Sequence, residues 1–255
     1  MKCGVTILIL VTALSACASG PEREAERART RQIVQTQVQL AAGYLERGKL
    51  DIAHQQLDKA LELDADNPAA NSLMGVLQWR LERYDEAERY FQRSLSSEPV
   101  DPDVQNNYAV FLCARGKYDE AVKLFEEVAR NPAYRTPAAA HENAGLCLMK
   151  RPSPAAAEQY FRKALERNPQ QPKSLLNMAR LSHNKGQNLS ARGFIQRYFQ
   201  VSPDSADSLL LAVHIERALR NRNAEASYAL RLRNKFPDSP EAAQLERETR
   251  KTGKR

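Results

Sequence analysis

The sequence predicts an all-α protein, a right-handed superhelix of about six helix-turn-helix repeats followed by a C-terminal capping helix. The main observation is a fixed period: Ala53, Ala87 and Ala121 lie 34 residues apart, as do Ala157 and Ala191. A period of this length is typical of solenoids, in which each unit buries its apolar face against its neighbours. Proline, which ends helices because it lacks an N–H group, also recurs near the unit ends. These prolines are Pro99, Pro169, Pro203 and Pro237.

The composition is that of a folded chain and narrows the classes of protein to consider. The 255 residues are 42% hydrophobic and 27% charged, and 38 Lys and Arg against 31 Asp and Glu give a net charge of +7. No run of roughly 18 or more apolar residues occurs, which excludes a membrane-spanning helix. The excess positive charge is scattered and is not interleaved with aromatic residues, which argues against nucleic acid as a partner.

Residues 1–16 have the pattern of a secretory signal peptide. Lys2 supplies a positive charge, residues 5–13 form an apolar stretch too short to span a bilayer, and small residues follow. The run Leu-Ser-Ala-Cys that ends at Cys17 resembles a bacterial lipobox. This resemblance implies that Cys17 receives lipid and becomes the first residue of the mature protein. An ordinary cleaved signal, in which Cys17 is incidental, is the alternative.

The residues after the lipobox predict where the lipidated protein is sent. Residue 18 is Ala rather than Asp, and by resemblance to enterobacterial sorting rules this implies delivery by the lipoprotein sorting machinery to the outer membrane of a Gram-negative bacterium, facing the periplasm. Several acyl chains on one cysteine anchor a protein stably. Within residues 17–33, the stretch from Pro21 to Thr30 carries alternating charges and no large apolar group, so we expect a solvated tether that can be helical.

The repeated alanine belongs to a larger pattern of side-chain sizes. Two antiparallel helices approach closely only where both present small side chains, and a large side chain one turn away fills the wedge between them. Twelve residues before each alanine comes a small residue, at Ala41, Gly75, Ala109, Gly145 and Ala179. Four residues after it comes a large apolar one, at Leu57, Phe91, Phe125, Phe161 and Ile195. Three further on lie Ala60, Ser94, Val128, Ala164 and Tyr198.

These residues resemble the tetratricopeptide repeat, a 34-residue helix-turn-helix unit. The resemblance divides residues 34–239 into the units 34–67, 68–101, 102–135, 138–171, 172–205 and 206–239, with residues 240–255 as a capping helix and basic tail. In the sixth unit Glu225 stands where the alanine belongs, between Ala224 and Ala226. That unit is therefore degenerate or slipped by one residue.

Capping signals mark the predicted helix starts. Asn or Asp before a first-turn proline is typical of the start of a helix, and paired acids suit the positive end of the helix dipole. The first helices of units two and three are expected to begin at Asn67-Pro68 and Asp101-Pro102, and the second helices at Asp85-Glu86 and Asp119-Glu120.

In the tetratricopeptide repeat family, positions 2, 5, 9 and 12 of each unit face a concave groove, and here the resemblance places mostly apolar residues there. An exposed apolar strip usually marks a partner site, suited to an amphipathic helix or an extended segment. The alternative is that these side chains pack between neighbouring helices and leave little for a partner. The candidates are Val38, Leu45, Ser72, Val76, Trp79, Asn106, Val110, Cys113, Leu146 and Met149. Unit five turns polar and basic, with Lys173, Leu176, Arg180 and His183.

No pattern of catalytic or metal-binding residues occurs. Cys113 and Cys147 lie 34 residues apart at unit positions 12 and 10, where we expect diverging side chains and two buried thiols; a disulfide, permitted in the periplasm, is the alternative. Phosphate-binding loops and nucleophile motifs are absent. We therefore expect no enzymatic activity, no metal, no cofactor and no small-molecule substrate. The histidines stand isolated in the sequence, at His54, His141, His183 and His214.

Together, a lipobox, a short tether and about six repeats resemble the outer-membrane lipoproteins of type IV pilus biogenesis, the secretin pilotins. The residues that carry this resemblance are Asn106-Asn107-Tyr108-Ala109, Leu112-Cys113 and Gly116-Lys117-Tyr118. The resemblance implies a non-catalytic scaffold that binds the pilus secretin and promotes its localisation and multimerisation in the outer membrane. The alternatives are a general envelope assembly adaptor, serving outer-membrane proteins or peptidoglycan enzymes, and a protein that itself acts on the cell wall.

Overall fold

The computed structural model describes residues 20–151 and 155–252, so the predicted signal peptide and Cys17 lie outside the described residues. In this part of the chain every regular element is an α-helix, and no described helix is long and apolar enough to cross a membrane. The helices are α1 (Gly20–Glu46), α2 (Leu50–Leu63), α3 (Pro68–Arg80), α4 (Tyr84–Ser94), α5 (Pro102–Ala114), α6 (Tyr118–Arg130), α7 (Pro137–Leu148), α8 (Ala155–Arg167), α9 (Pro172–Asn184), α10 (Asn188–Val201), α11 (Ala206–Ala218), α12 (Arg222–Lys235) and α13 (Pro240–Thr252). The all-α prediction is confirmed.

The described chain divides into two compact units, each larger than a single repeat. The first unit ends at Tyr90 and the second unit begins at Phe91. The 34-residue repeats keep their numbers, unit one to unit six. In the first unit α1 pairs with α2, and α3 packs against both. In the second unit α5 pairs with α6, α7 with α8, α9 with α10 and α11 with α12. The second unit therefore consists of helical hairpins, and the first contains one hairpin with α3 packed against it; in both, the buried faces form the core.

The residues predicted to lie at the helix crossings are buried. All five repeated alanines of the second helices are completely inaccessible, as are Leu57 and Phe161. The small residues of the first helices are buried as well. Gly145 shows why size matters: a Cβ atom there would lie 2.7 Å from Cε1 of Phe161. The pattern of side-chain sizes thus predicted the packing of the hairpins.

The predicted helix starts are present and capped as expected. The Asn67 side chain accepts a hydrogen bond from the Ala70 amide at 3.0 Å, and Asp101 accepts one from the Asp103 amide at 2.8 Å. Both are followed by proline in the first turn. The paired acids lie in the first turns of α4 and α6, where their charge faces the positive end of the helix dipole.

In five hairpins the turn between the two helices repeats a left-handed backbone conformation that the alanine pattern did not reveal. Gly48, Gly116 and Gly186 have φ angles of 70°, 81° and 73°. Glu82 and Arg220 occupy the same turn position with φ of 61° and 57°. Glycine adopts this conformation without the steric cost that a Cβ atom brings. The available signal in the sequence was the recurrence of glycine at intervals of about two repeats, from Gly48 to Gly116 and from Gly116 to Gly186.

The hairpin of α11 and α12, which forms the sixth repeat, is not slipped by one residue. Ala229 and Leu232 are buried in α12, and they lie four and seven residues after Glu225, as in the other second helices. Glu225 therefore occupies the alanine position, and its carboxylate accepts a hydrogen bond from Nε of Arg217 at 2.8 Å. After this hairpin, α13 buries Ala242 and Leu245 against the final core cluster.

The tether predicted before the first repeat is part of a helix. Because α1 begins at Gly20, the stretch from Pro21 to Thr30 continues without a break into the first helix of unit one. Its side chains are almost all exposed, whereas Val34 and Ala41 further along are buried. The helix therefore projects beyond the α1–α2 hairpin before it enters the core.

Candidate partner-binding surfaces

In the first unit, three of the five predicted groove residues are accessible. Val38 on α1 and Val76 on α3 are half-buried at the edge of the first core, and Trp79 on α3 is half-buried as well. Leu45 is only 3% exposed and Ser72 only 1%, so placing these two on an open groove was wrong. Leu45 belongs to the buried cluster of the first unit, and Ser72 is a buried polar residue of α3.

In the second unit, half-buried residues of α5 and α7 form a mixed polar and apolar row. Asn106 and Val110 lie on α5, Leu146 lies on α7, and Met149 is the C-cap residue of α7. The Asn143 amide donates to Oδ1 of Asn106 at 3.1 Å, which joins the two helices at this surface. Asn106 was a predicted groove residue and Asn143 was not, because Asn143 holds position 6 of its repeat, outside the four groove positions. Val110, Leu146 and Met149 pack against buried clusters while remaining partly accessible.

Cys113 and Cys147 form a disulfide, so the expectation of two free thiols was wrong. Their Cα atoms are 5.7 Å apart, within the usual range for a disulfide. The two-residue insertion at Thr136-Pro137 shifts the position numbers of unit four by two relative to those of unit three. Cys113 and Cys147 therefore have different unit positions, although they face each other in the structure. Cys113 is only 5% exposed, so it ties α5 to α7 and does not line an open groove.

A buried carboxylate also joins first helices in the second unit. Glu142 on α7 is 7% exposed and accepts hydrogen bonds from the Ser174 backbone amide at 2.9 Å and from its hydroxyl at 2.8 Å. Ser174 lies in the first turn of α9, where the helix dipole favours negative charge. The contact fixes α7 against α9 and requires no ligand.

The predicted change to a polar surface at unit five is present. Arg180 pairs with Asp207 at 2.6 Å, and the His183 ring stacks on that of His214 with centroids 6.5 Å apart. Nδ1 of His183 also lies 2.7 Å from Oδ1 of Asn188. These two histidines are therefore not isolated in space, and the side chains of Arg180 and His183 already have partners within the chain.

The polar surface continues on α13 through a carboxylate that stays ionised. Nε2 of His214 lies 3.0 Å from Glu248, and the Arg217 guanidinium donates to the same carboxylate at 2.8 Å. Partial burial opposes ionisation of Glu248, but hydrogen bonds from Gln244, Arg217 and His214 outweigh it and lower its pKa to about 2. The described residues contain no group of three or more His, Cys, Asp or Glu that could hold a metal ion.

Comparison with known proteins agrees with this architecture. A family model for the tetratricopeptide repeat matches residues 38–102, 72–135 and 112–172, and a second such model matches residues 160–193. The chain is 31% identical over 211 residues to the type IV pilus assembly protein PilF of Pseudomonas aeruginosa. The aligned residues cover 83% of this chain and 84% of that protein.

Two solved structures have similar folds over most of the chain. That of Pseudomonas aeruginosa PilF gives a TM-score of 0.73 at 30% identity and covers 86% of this chain and 99% of that one. That of PilW, described as a widely conserved type IV pilus biogenesis factor, gives a TM-score of 0.71 at 30% identity and covers 84% and 98%.

Proposed function

The chain belongs to the tetratricopeptide repeat family and is homologous to the type IV pilus biogenesis factors PilF and PilW, and we propose that it is an outer-membrane-anchored, periplasm-facing scaffold that binds the pilus secretin. In this role it promotes the localisation and multimerisation of the secretin in the outer membrane. It acts by binding rather than by catalysis and uses no cofactor.

The observation that carries the proposal is a set of half-buried apolar side chains. They lie on, or at the end of, the first helices of repeats in both compact units. Val38, Val76 and Trp79 belong to this set in the first unit, and Leu146 and Met149 in the second. Each of these side chains keeps apolar area that a partner segment can remove from water. Such burial favours binding by about 25 cal/mol per Å² before ordering costs.

The proposed lipid on Cys17 supplies the membrane attachment that the mechanism also requires. Acyl chains on this residue hold the protein at the membrane to which the secretin must be delivered. A secretin segment bound to the scaffold is then carried along the lipoprotein sorting route. Its concentration at the outer membrane rises, which favours assembly of the ring.

Secretin assembly in cells tests the proposal directly. Membranes from cells that lack this protein should contain secretin monomers in place of multimers, and the wild-type gene should restore the multimers. Cys17→Ser should move the protein out of the membrane fraction. Unchanged multimers in the deletion strain would refute the role, and a membrane-bound Cys17→Ser variant would refute the anchor.

The binding surface is tested by comparing apolar substitutions on and off the proposed surface. A Trp that buries a further ~100 Å² on binding contributes about 2.5 kcal/mol before ordering costs, so Trp79→Ala should weaken secretin binding roughly tenfold or more. Leu146→Ala should weaken it less. Leu189→Ala is the control, since Leu189 on α10 is 73% exposed and lies outside both sets. Equal affinity for all three variants would contradict the assignment, and loss of helical circular dichroism in Trp79→Ala would mean that Trp79 is a core residue.

A further inference from the structure

An arginine-lined cleft in the first unit is not used by the proposed scaffold function. It has a volume of about 550 Å³ and lies between the N-terminal part of α1 and the end of α2. Arg23, Arg27 and Arg31 are spaced four residues apart, which places all three on one side of α1. The cleft is lined by these arginines together with Glu26, Thr30, Val34, Leu63 and Asp64.

The arginines give the cleft a net positive charge, since three guanidinium groups stand against the carboxylates of Glu26 and Asp64. None of the three makes an ion pair or a side-chain hydrogen bond within the described part of the chain. Of the two acids in the cleft, Asp64 already accepts a hydrogen bond from the Asn67 amide at 3.0 Å. A guanidinium group binds phosphate through two parallel N–H donors, so a row of three is suited to a phosphodiester.

The cleft also has an apolar side. Leu63, the last residue of α2, is 49% exposed, and Val34 on α1 is buried at the inner end of the cleft. Since Val34 is only 2% exposed, Leu63 supplies the accessible apolar area, from which a free inorganic anion would gain nothing. A phospholipid would, since its glycerol and upper acyl carbons adjoin the phosphate.

The position of the cleft along the chain brings it close to a membrane. Gly20, the first residue of α1, follows Cys17 by three residues, a span of at most about 11 Å when extended. Arg23 lies about 5 Å further along the helix and Arg31 about 12 Å beyond that. If Cys17 carries acyl chains, the arginine row therefore begins within reach of the headgroups of the same leaflet.

We infer that this cleft binds the headgroup of an anionic phospholipid, an inference that rests on the lipid anchor at Cys17. The three guanidinium groups donate to the phosphate oxygens, and Leu63 contacts the glycerol and first acyl carbons. The first unit is then held to the membrane at two points, the acylated cysteine and α1. Two points restrict the orientation of α1, which a flexible single anchor would leave free.

Vesicle binding by a chain without lipid tests the inference separately from the anchor. The protein is the chain from residue 17 to residue 255 with Cys17→Ser, and the vesicles contain phosphatidylglycerol in phosphatidylcholine or phosphatidylcholine alone. Each arginine at an anionic bilayer surface strengthens binding about fivefold. We therefore expect Arg23→Gln, Arg27→Gln and Arg31→Gln together to weaken binding to the anionic vesicles by between about tenfold and a hundredfold.

A charge-matched variant separates the cleft from the net charge of the protein. Arg29→Gln, Arg47→Gln and Arg89→Gln remove the same charge from exposed positions of the first unit that do not line the cleft. The inference requires this control to lose less than about threefold. Equal losses in the two triple variants would overturn it, as would equal binding to phosphatidylcholine alone. Because the assay contains no acylated protein and no secretin, failure of the scaffold function leaves its outcome unchanged.

Discussion

Gly145 on α7 offers the sharpest test of how the hairpins pack. In an open helix, Gly→Ala is stabilising by about 0.5–1 kcal/mol, because alanine loses less backbone entropy on folding. At Gly145 the added methyl group would lie 2.7 Å from Cε1 and 2.8 Å from Cδ1 of Phe161. The Phe161 ring is completely buried, so it cannot move aside without disturbing its neighbours.

The cost of that overlap decides whether Gly145→Ala raises or lowers the free energy of unfolding. Overpacking a well-packed core costs about 1–3 kcal/mol, which exceeds the gain in helix propensity. We therefore expect Gly145→Ala to lower the free energy of unfolding by about 1–2 kcal/mol and to lower Tm by a few degrees. Urea unfolding followed by circular dichroism measures the change.

A second glycine in the same unit provides the matched control. Gly193 lies inside α10, and apart from the adjoining residues and backbone of that helix no atom lies within 4 Å of a Cβ placed on it. Gly193→Ala should therefore stabilise the protein by about 0.5–1 kcal/mol. If Gly145→Ala also raised the urea midpoint, the argument that Phe161 requires glycine opposite it would be refuted.

Three further predictions follow from other contacts. Replacing Cys113 and Cys147 together by Ala opens a loop with a sequence separation of 34, which should cost about 4 kcal/mol in urea unfolding; an intact mass that does not change on reduction would contradict the disulfide. Glu82→Gly relieves a left-handed residue with φ of 61° and should raise the unfolding free energy by about 1 kcal/mol, whereas an unchanged or lower midpoint would argue against strain in that turn. Because the pKa of Glu248 is lowered to about 2 from 4.5, its contribution to stability is complete above pH 4.5 and disappears as the pH falls towards 2; Glu248→Gln should flatten the pH dependence of Tm in that window, and an unaltered profile would exclude Glu248 as its source.

Much of the fold follows from local information in the chain. The spacing of Ala157, Phe161 and Ala164 defines one face of a helix, and the small residue at Gly145 defines where its partner approaches. Each of these relations operates within one hairpin, so a single sequence contains all of it. The same holds for the N-caps at Asn67 and Asp101, whose hydrogen bonds reach only two or three residues along the chain.

The candidate surface was less predictable, because unit position fixes the side of a helix but not how closely the next unit covers it. Leu45 and Ser72 had the expected positions and are nevertheless buried. Val76 and Trp79 on the same helix as Ser72 remain half-accessible. The depth of each side chain depends on the helices packed beside it, which the repeat pattern does not describe.

By itself, the sequence determined the helices, their pairing into hairpins and the residues at each crossing, because these depend on side-chain size and helical periodicity within about 34 residues. Only the tertiary structure decided that Cys113 meets Cys147, that Glu142 reaches Ser174, and that Glu225 keeps the frame of the last repeat through Arg217. The disulfide and the Glu142 contact join different repeats, and their distances depend on how one hairpin stacks on the next. The contact between Glu225 and Arg217 lies within a single hairpin, but its geometry depends on how α11 and α12 pack. Small offsets, such as the two residues inserted at Thr136-Pro137, change which side chains meet without changing the helices themselves.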